Sequence, residues 1–136
     1  MLSKKAQYAL QALMYMADKP ANEPTLIAEI ARKRKIPLKF LENILLQLKN
    51  EGVLESKKGK GGGYFFRLPP KDIPLARIIR IIDGPIAMLP CASLYFYERC
   101  KNCDEKHCGI HDTMILVRDS TLKILEKKTV ADISNL

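Results

Sequence analysis

The sequence predicts a mainly α-helical fold that contains one small β-hairpin. Apolar residues recur every three or four positions in five segments of the 136-residue chain, which is the spacing of helices with one buried face. Two short runs, 53–57 (VLESK) and 64–68 (YFFRL), have the composition of strands, and four glycines lie between them. Prolines and glycines separate the segments, as expected of turns.

The first two helices are predicted from their boundaries. Residues 3–19 form a helix with Ser3 as its N-cap, and the proline-containing segment 20–24 ends it. Thr25 offers a second N-cap, so a short second helix is predicted over 25–35. This second helix ends in a run of basic residues.

A third helix is predicted over 37–51, with Pro37 in its first turn and Gly52 at its end. Four leucines follow a 3-4-3 spacing that places them on one buried stripe: Leu38, Leu41, Leu45 and Leu48. Two short helices, a tight turn and a third helix with a polar outer face form a helix-turn-helix pattern. The hairpin that follows is then a wing, so the fold class is a winged helix-turn-helix.

The second half of the chain adds a short helix after Pro74 and a last helix from Ile110 to about Lys128. Apolar side chains cover more of the last helix than one contact face requires, so we expect it to pack against two surfaces. A second copy of the chain is the simplest source of the second surface, and the alternative is a core helix of a monomer. The predicted divisions are a winged helix-turn-helix domain over 1–70, a connecting helix over 71–90, a cysteine-rich loop over 91–109, and a long helix with its tail over 110–136.

The basic charge of the chain is confined to its first half. The net charge is +8, and residues 1–68 hold 13 Lys and Arg against 6 Asp and Glu, whereas residues 69–136 hold 10 against 9. Segregated positive charge attracts polyanions, nucleic acid before an anionic membrane surface, although many basic proteins bind neither. We find no secretory signal and no apolar stretch that could span a bilayer, so we expect a cytoplasmic protein.

The third helix and the wing carry the candidate DNA contacts. On the helix, Lys39 can reach phosphate or guanine, Asn43 can pair with adenine, and Glu42 can accept from cytosine. Wing lysines would displace counterions from phosphates, and the glycines beside them would let the backbone approach DNA closely. These lysines are Lys57, Lys58 and Lys60. The alternatives are a solvated surface helix and an ordinary mobile loop, and the spacing of a phosphate-binding P-loop is absent.

All four cysteines lie within 18 residues, with the spacing C-x8-C-x2-C-x4-C, and both histidines lie beside the last cysteine. These residues are Cys91, Cys100, Cys103 and Cys108, with His107 and His111. In a reducing cytoplasm the cluster favours a metal or redox site over a disulfide framework. The ligands suit iron or structural zinc, and a thiol–disulfide switch without metal is a further alternative. No set of nucleophile, base and orienting residue accompanies them, so we expect no enzyme activity.

The sequence resembles the Rrf-two family of bacterial winged-helix transcriptional regulators, which includes IscR, NsrR and CymR. The resemblance rests on SKKAQYAL at the start, IPLKFLENILLQLKNEGVL across the third helix, and SKKGKGGGYFFRL in the wing. It continues through DIPLARIIRIIDGP, the cysteine cluster and TVADI, and so covers nearly the whole chain. It implies a homodimer that binds a pseudo-palindromic operator in double-stranded DNA, with a C-terminal dimerisation helix that crosses to the partner subunit.

The resemblance also implies which residues contact DNA. Contacts in the family come from the start of the recognition helix and from one basic wing residue. The matching positions hold Pro37, Lys39, Phe40, Glu42 and Asn43 in the helix and Lys58 in the wing. The family's wing residue is commonly Arg, so the lysine keeps the charge but loses the planar fork of the guanidinium. Relatives often carry Ser where this helix has Pro37 and Lys39, so their operator sequence does not transfer.

Redox-sensing members of the family bind an iron–sulfur cluster through three cysteines and one other residue. A ligand histidine three residues after the last cysteine corresponds to His111, whereas an acidic ligand of other members corresponds to Gln7, which is a poor iron ligand. The resemblance therefore implies a 2Fe–2S or 4Fe–4S cluster with these ligands: Cys91, Cys108, His111 and either Cys100 or Cys103. Because both central cysteines are present, all four cysteines could ligate instead. Other relatives lack a cluster and respond to a small molecule or a partner protein.

Overall fold

The computed structural model describes residues 1–101 and 104–134. Helices dominate these residues, together with a two-stranded antiparallel sheet, so the predicted fold class is confirmed. The elements are α1 (Lys4–Ala17), α2 (Ile27–Arg34), α3 (Leu38–Asn50), β1 (Leu54–Lys57), β2 (Gly63–Phe66), α4 (Leu75–Asp83), α5 (Gly109–Leu125) and α6 (Val130–Ile133). Within the described residues, no helix combines the length and apolar character needed to cross a membrane.

The hydrophobic core lies where α1, α2, α3 and α4 meet. Leu13 of α1, Ile30 of α2 and Ile78 of α4 are fully buried there together with one face of α3. Val130 of α6 belongs to the same core. Each such side chain contributes about 1.5–3 kcal/mol when it is removed from water. The second half of the chain therefore stabilises the helix-turn-helix of the first half.

The two predicted N-caps have different outcomes. Ser3 caps α1, because its Oγ accepts a hydrogen bond from the Ala6 N–H at 2.9 Å, and this prediction is confirmed. Thr25 does not cap α2, which begins only at Ile27. The Thr25 N–H instead donates to the Tyr64 carbonyl at 2.8 Å, and the Tyr64 N–H donates to the Thr25 carbonyl at 2.9 Å. The predicted cap is wrong because backbone pairing with the wing holds this residue in an extended conformation.

The wing is an antiparallel pair in which Leu54 lies opposite Phe66 and Lys57 lies opposite Gly63. Thr25 pairs with the outer side of β2 and extends the sheet by one residue. Gly63 has a φ of +139°, and a Cβ atom at this position would overlap the Thr25 carbonyl group. Glycine is therefore what allows the wing to pass so close to the segment before α2.

The leucine stripe of α3 is confirmed for three of its four predicted members. Leu41, Leu45 and Leu48 are fully buried, and Ile44 completes the buried face. The prediction is wrong for Leu38, which is 46 % exposed. It is the first residue of α3 and lies at the end of the stripe, outside the buried core. Helical spacing predicts the direction of a side chain, but not how far the core reaches along the helix.

The second half follows the predicted pattern except near its end. α4 begins after Pro74, as the sequence predicts, and ends at Asp83 with Gly84 as its C-cap. α5 ends earlier than the predicted Lys128. The segment that follows is not an irregular tail, because Thr129 and Asp132 form a capping box that starts α6.

Backbone hydrogen bonds attach the end of the chain to the start of α4. The Leu75 N–H donates to the Lys128 carbonyl at 2.9 Å, and the Val130 N–H donates to the Ile73 carbonyl at 2.9 Å. α6 also packs against α1. The C-terminal end of α5 is thus held next to the core.

We expect Gly63→Ala to lower the free energy of unfolding by about 3 kcal/mol, because the methyl group would overlap the Thr25 carbonyl in a strained backbone conformation. Urea denaturation measures this loss. Gly61→Ala is the matched control, since Gly61 also has a positive φ, +75°, but has open space around it. The control should lose about 1 kcal/mol, and equal losses for the two variants would contradict the close contact.

Candidate nucleic-acid interface and cysteine segment

The first two turns of α3 present the predicted helix contacts to solvent. Pro37, immediately before the helix, is exposed, as are Lys39, Phe40, Glu42 and Asn43 within it. The opposite face of α3 is the buried stripe. Because that burial fixes the rotation of the helix, these side chains face solvent. The predicted contact residues of the helix therefore share one exposed end.

α1 holds the aromatic member of this group in place. The rings of Phe40 and Tyr8 meet edge to face, with centroids 5.6 Å apart and planes at 83°. The Lys4 ammonium lies 5.3 Å from the centre of the Tyr8 ring. Lys4 and Tyr8 thus add a positive charge and a hydroxyl beside the start of α3. Neither residue was predicted from the sequence, although a lysine and an aromatic residue four positions apart on one helix could have indicated both.

The wing places its three predicted lysines in an exposed turn. Lys57 ends β1, and Lys58 and Lys60 follow it. The turn is tight, since the Gly62 N–H donates to the Gly59 carbonyl at 3.0 Å and a Cβ atom on Gly62 would overlap the backbone of Lys57. The glycines therefore allow three positive charges to be concentrated at the tip without bulky side chains between them.

A polar cluster joins α2 to α1. The Tyr15 hydroxyl donates to Glu29 Oε2 at 2.6 Å, and the Lys19 ammonium forms an ion pair with the same carboxylate. The hydrogen bonds from Lys19 and Tyr15 hold the pKa of Glu29 below its ordinary value of 4.5. The Arg34 guanidinium lies 5.9 Å from the centre of the Tyr15 ring. This cluster fixes α2 relative to α1 and therefore the turn that leads into α3.

Two polar contacts join α3 to α4. The side-chain amide of Gln47 donates from Nε2 to the Ile81 carbonyl at 2.8 Å, and its Oε1 accepts from the Lys5 ammonium at 2.8 Å. The Arg77 guanidinium donates to the Glu51 carbonyl at 3.0 Å. A movement of α4 would therefore act directly on the helix that carries the exposed contacts.

Three of the predicted metal ligands lie together at the start of α5. Cys108 is the N-cap of α5, and its Sγ accepts a hydrogen bond from the His111 N–H at 3.4 Å. His111 Nδ1 lies 3.4 Å from the Sγ of Cys91, which is buried. Cys100 is exposed, and Cys103 lies outside the described residues. The fold thus brings together the first cysteine, the last cysteine and the histidine of the predicted set.

The chemistry of these three donors suits iron or zinc, since both metals bind thiolates and imidazole. Within residues 1–101 and 104–134, no three His, Cys, Asp or Glu side chains are arranged to hold a metal ion as they stand. The group at the start of α5 is therefore part of a ligand set rather than a preformed site. His107 is exposed, and its Nδ1 lies 2.6 Å from Asp104 Oδ2.

Two arginines join the cysteine segment to α4 and α5. Arg118 of α5 donates to the Ala92 carbonyl at 2.9 Å, in the turn that carries the first cysteine. Arg80 of α4 lies 4.6 Å from the centre of the Tyr95 ring and donates to Glu126 at 3.1 Å. A change in the conformation of the cysteine segment would therefore alter the contacts of both helices.

α5 carries a large exposed apolar surface. Of its residues, all of which the structure describes, Leu122 alone is buried. Leu116 is 68 % exposed, Ile110 65 % and Ile124 61 %. Monomeric proteins rarely expose contiguous apolar surface of this kind. The helix packs on one side, and its second apolar surface is uncovered in the single chain.

Residues 2–135 of the chain match the Rrf2 family, which is described as an iron-dependent transcriptional regulator. A putative HTH-type transcriptional regulator of Rhodobacter capsulatus, called rrf2-like, is 39 % identical over 136 residues. That match covers 97 % of this chain and 91 % of the relative. The HTH-type transcriptional regulator IscR of Cereibacter sphaeroides is 33 % identical over 87 residues, which are 62 % of this chain and 56 % of that protein.

Among solved structures, the chain is similar to CymR, the global cysteine regulator of B. subtilis. The TM-score is 0.81 at 26 % sequence identity, and the match covers 98 % of this chain and 95 % of that one. The likeness therefore extends over the helix-turn-helix, the wing and the C-terminal helices.

Proposed function

Because the chain belongs to the Rrf2 family of transcriptional regulators, as its sequence predicted, we propose that it senses redox or iron status through an iron–sulfur cluster. The cluster would control the affinity of the winged helix for a DNA operator. The observation that carries this proposal is the approach of Cys91, Cys108 and His111 at the start of α5. The description of the family as iron-dependent regulators supports the choice of iron.

In the proposed DNA complex, the start of α3 lies in the major groove. Lys39, Glu42 and Asn43 then reach base edges or phosphates. Lys58 and its neighbours in the wing contact the flanking backbone, where each phosphate contact releases counterions. The support is the joint exposure of both groups on a half of the chain that holds 13 basic against 6 acidic residues. A transcriptional regulator that binds bacterial DNA in this way acts in the cytoplasm.

The proposed ligands are Cys91, Cys108 and His111, with either Cys100 or Cys103 as the fourth. A bound iron–sulfur cluster supplies redox chemistry, since its potential depends on ligands, charge and solvent exposure. The chain's own contribution is to hold two sulfurs and an imidazole at the N-terminus of α5. The segment between these ligands contains the fourth donor, so binding would connect that segment to the start of α5.

Contacts of Arg118 and Arg80 would connect the cysteine segment to the DNA-binding half. Arg118 bonds to the turn that carries Cys91, and Arg80 connects the segment to α4. α4 is bonded to α3 through Gln47 and Arg77. A new conformation of residues 91–109 would therefore shift α4 and with it the recognition helix, which biases the protein between two DNA affinities.

A homodimer is part of the proposal. The exposed apolar residues of α5 include Leu116 and Ile124. A second copy of the chain would remove them from water by packing an identical surface against them across a two-fold axis. Two recognition helices related in this way would match the two halves of a pseudo-palindromic operator. α5 is then the dimerisation helix, and residues 91–109 are the sensor loop that precedes it.

A second candidate keeps the same DNA-binding half but uses zinc, a thiol switch, or a small molecule or partner protein as the effector. Two observations favour it. Within the described residues the ligands are not arranged as a closed metal site, and a similar structure is that of CymR, a global cysteine regulator. Under this alternative, Cys91 and Cys108 would respond as thiols or hold a structural metal.

Metal analysis distinguishes the two candidates. We expect protein purified without oxygen to be brown and to contain iron and acid-labile sulfide, and we expect His111→Ala to lose most of both. His107→Ala is the matched control, because its side chain is exposed and pairs with Asp104 rather than with a cysteine. A colourless protein that contains zinc, or no metal, would refute the cluster and favour the second candidate.

DNA-binding measurements separate backbone contacts from base contacts. Lys58→Ala should weaken binding to all sequences and reduce the slope of log affinity against log salt by about 1. Asn43→Ala should instead relax the choice of base, at a cost of about 1–3 kcal/mol on the preferred sequence. Lys127→Ala, an exposed lysine outside the wing, serves as control. Equal effects of the first two variants on preferred and random DNA would contradict this assignment.

Light scattering tests the dimer. We expect the protein to have twice the chain mass of 15.4 kDa, and we expect Leu116→Glu to reduce it to the monomer because a carboxylate would be buried in the interface. Leu116→Met, which keeps the position apolar, should remain dimeric. A monomeric parent protein at micromolar concentration would exclude the proposed interface.

A further inference from the structure

Two leucines are exposed where α2, α3 and the wing meet. Leu38, the first residue of α3, is 46 % exposed, and Leu26, immediately before α2, is 58 % exposed. Leu38 is the stripe member that the core does not cover. An apolar side chain at the exposed end of a helix proposed to enter DNA needs a physical explanation.

These leucines line an open notch of about 370 Å³ between α2, α3 and the hairpin. Tyr64 of β2, Glu42 of α3 and Lys57 of β1 also border it. Burial and the negative charge of Glu42 raise the pKa of Tyr64, and both residues border the notch. The notch therefore has an apolar side formed by the leucines and a charged rim, directly beside the proposed base contacts.

The charges around the notch favour DNA over an apolar protein segment. Lys57 borders it, and Lys39, which follows Leu38 in α3, is exposed, within a half of the chain that carries a surplus of positive charge. In the major groove, the methyl group at C5 of thymine is the apolar group that base edges present. Charged and amide side chains gain no hydrogen bond from a methyl group, whereas a leucine gains apolar contact with it.

We propose that Leu38 contacts the 5-methyl group of an operator thymine, and that Leu26 forms the second wall of the notch that receives this group. The proposal rests on the DNA-binding mode given above, in which the start of α3 lies in the major groove. Contact with the methyl group removes part of Leu38 from water. It adds recognition of the thymine methyl group, which the polar residues of α3 cannot bind through hydrogen bonds.

Replacement of thymine by deoxyuridine tests the proposal, because it removes the methyl group and keeps every hydrogen-bonding group of the base. A preferred duplex is first selected from a random-sequence pool with the full chain, and each thymine is then replaced in turn. We expect one replacement in each half-site to weaken binding about fourfold, as for the loss of one buried methyl-sized group. 5-Bromodeoxyuridine at that position, which restores a group of similar size, should restore the affinity.

Leu38→Ala should bind the thymine and deoxyuridine duplexes equally. Leu46→Ala is the matched control, because it removes a leucine of α3 that is 48 % exposed but does not line the notch; it should keep the fourfold difference. If no thymine replacement separates the parent protein from Leu38→Ala, the inference is overturned alone. A pool that yields no preferred sequence overturns the proposed function and the inference together.

Discussion

Burial of one face of α3 sets the orientation of the exposed side chains on that helix. Leu41, Leu45 and Leu48 are fully buried in the core. Their burial fixes the rotation of α3, so the opposite face of the helix points to solvent. The edge-to-face contact of Phe40 with Tyr8 fixes the start of the same helix. A surface that is ordered before binding loses little conformational entropy when it meets DNA. The polar side chains of α3 are therefore held in place by the apolar ones behind them.

Features with a local signal could be predicted from the sequence, and features set by distant residues could not. Ser3 needs only its own helix to act as a cap, whereas the conformation of Thr25 depends on a strand 39 positions later. Leu38 has the correct spacing, but spacing alone does not predict that the core leaves out this first residue of α3. In the site, cysteine spacing and family resemblance indicated His111, but Gln47 bonds to a carbonyl 34 positions away and has no sequence signature.

Under the proposed function, the polar contacts between α3 and α4 would couple the cysteine segment to the DNA-binding half, and their magnitude suits regulation. An allosteric coupling free energy is about 1–3 kcal/mol, and one hydrogen bond contributes about 0.5–1.5 kcal/mol. The bonds of Gln47 and Arg77 to backbone carbonyls therefore have the size needed to change DNA affinity severalfold without unfolding either half.

The two ends of α5 are held by different contacts. Its C-terminal end is anchored through Lys128 and Val130 to the segment before α4, whereas its N-terminal end carries Cys108 and His111. A helix of this length extends about 25 Å. A displacement of its N-terminal end would therefore rotate α5 about the anchored end beside the core. A shift of several ångströms at the thiols then becomes a small rotation near the DNA-binding half. In a symmetric pair the same rotation would change the spacing between the two recognition helices, and so the operators that the pair can span.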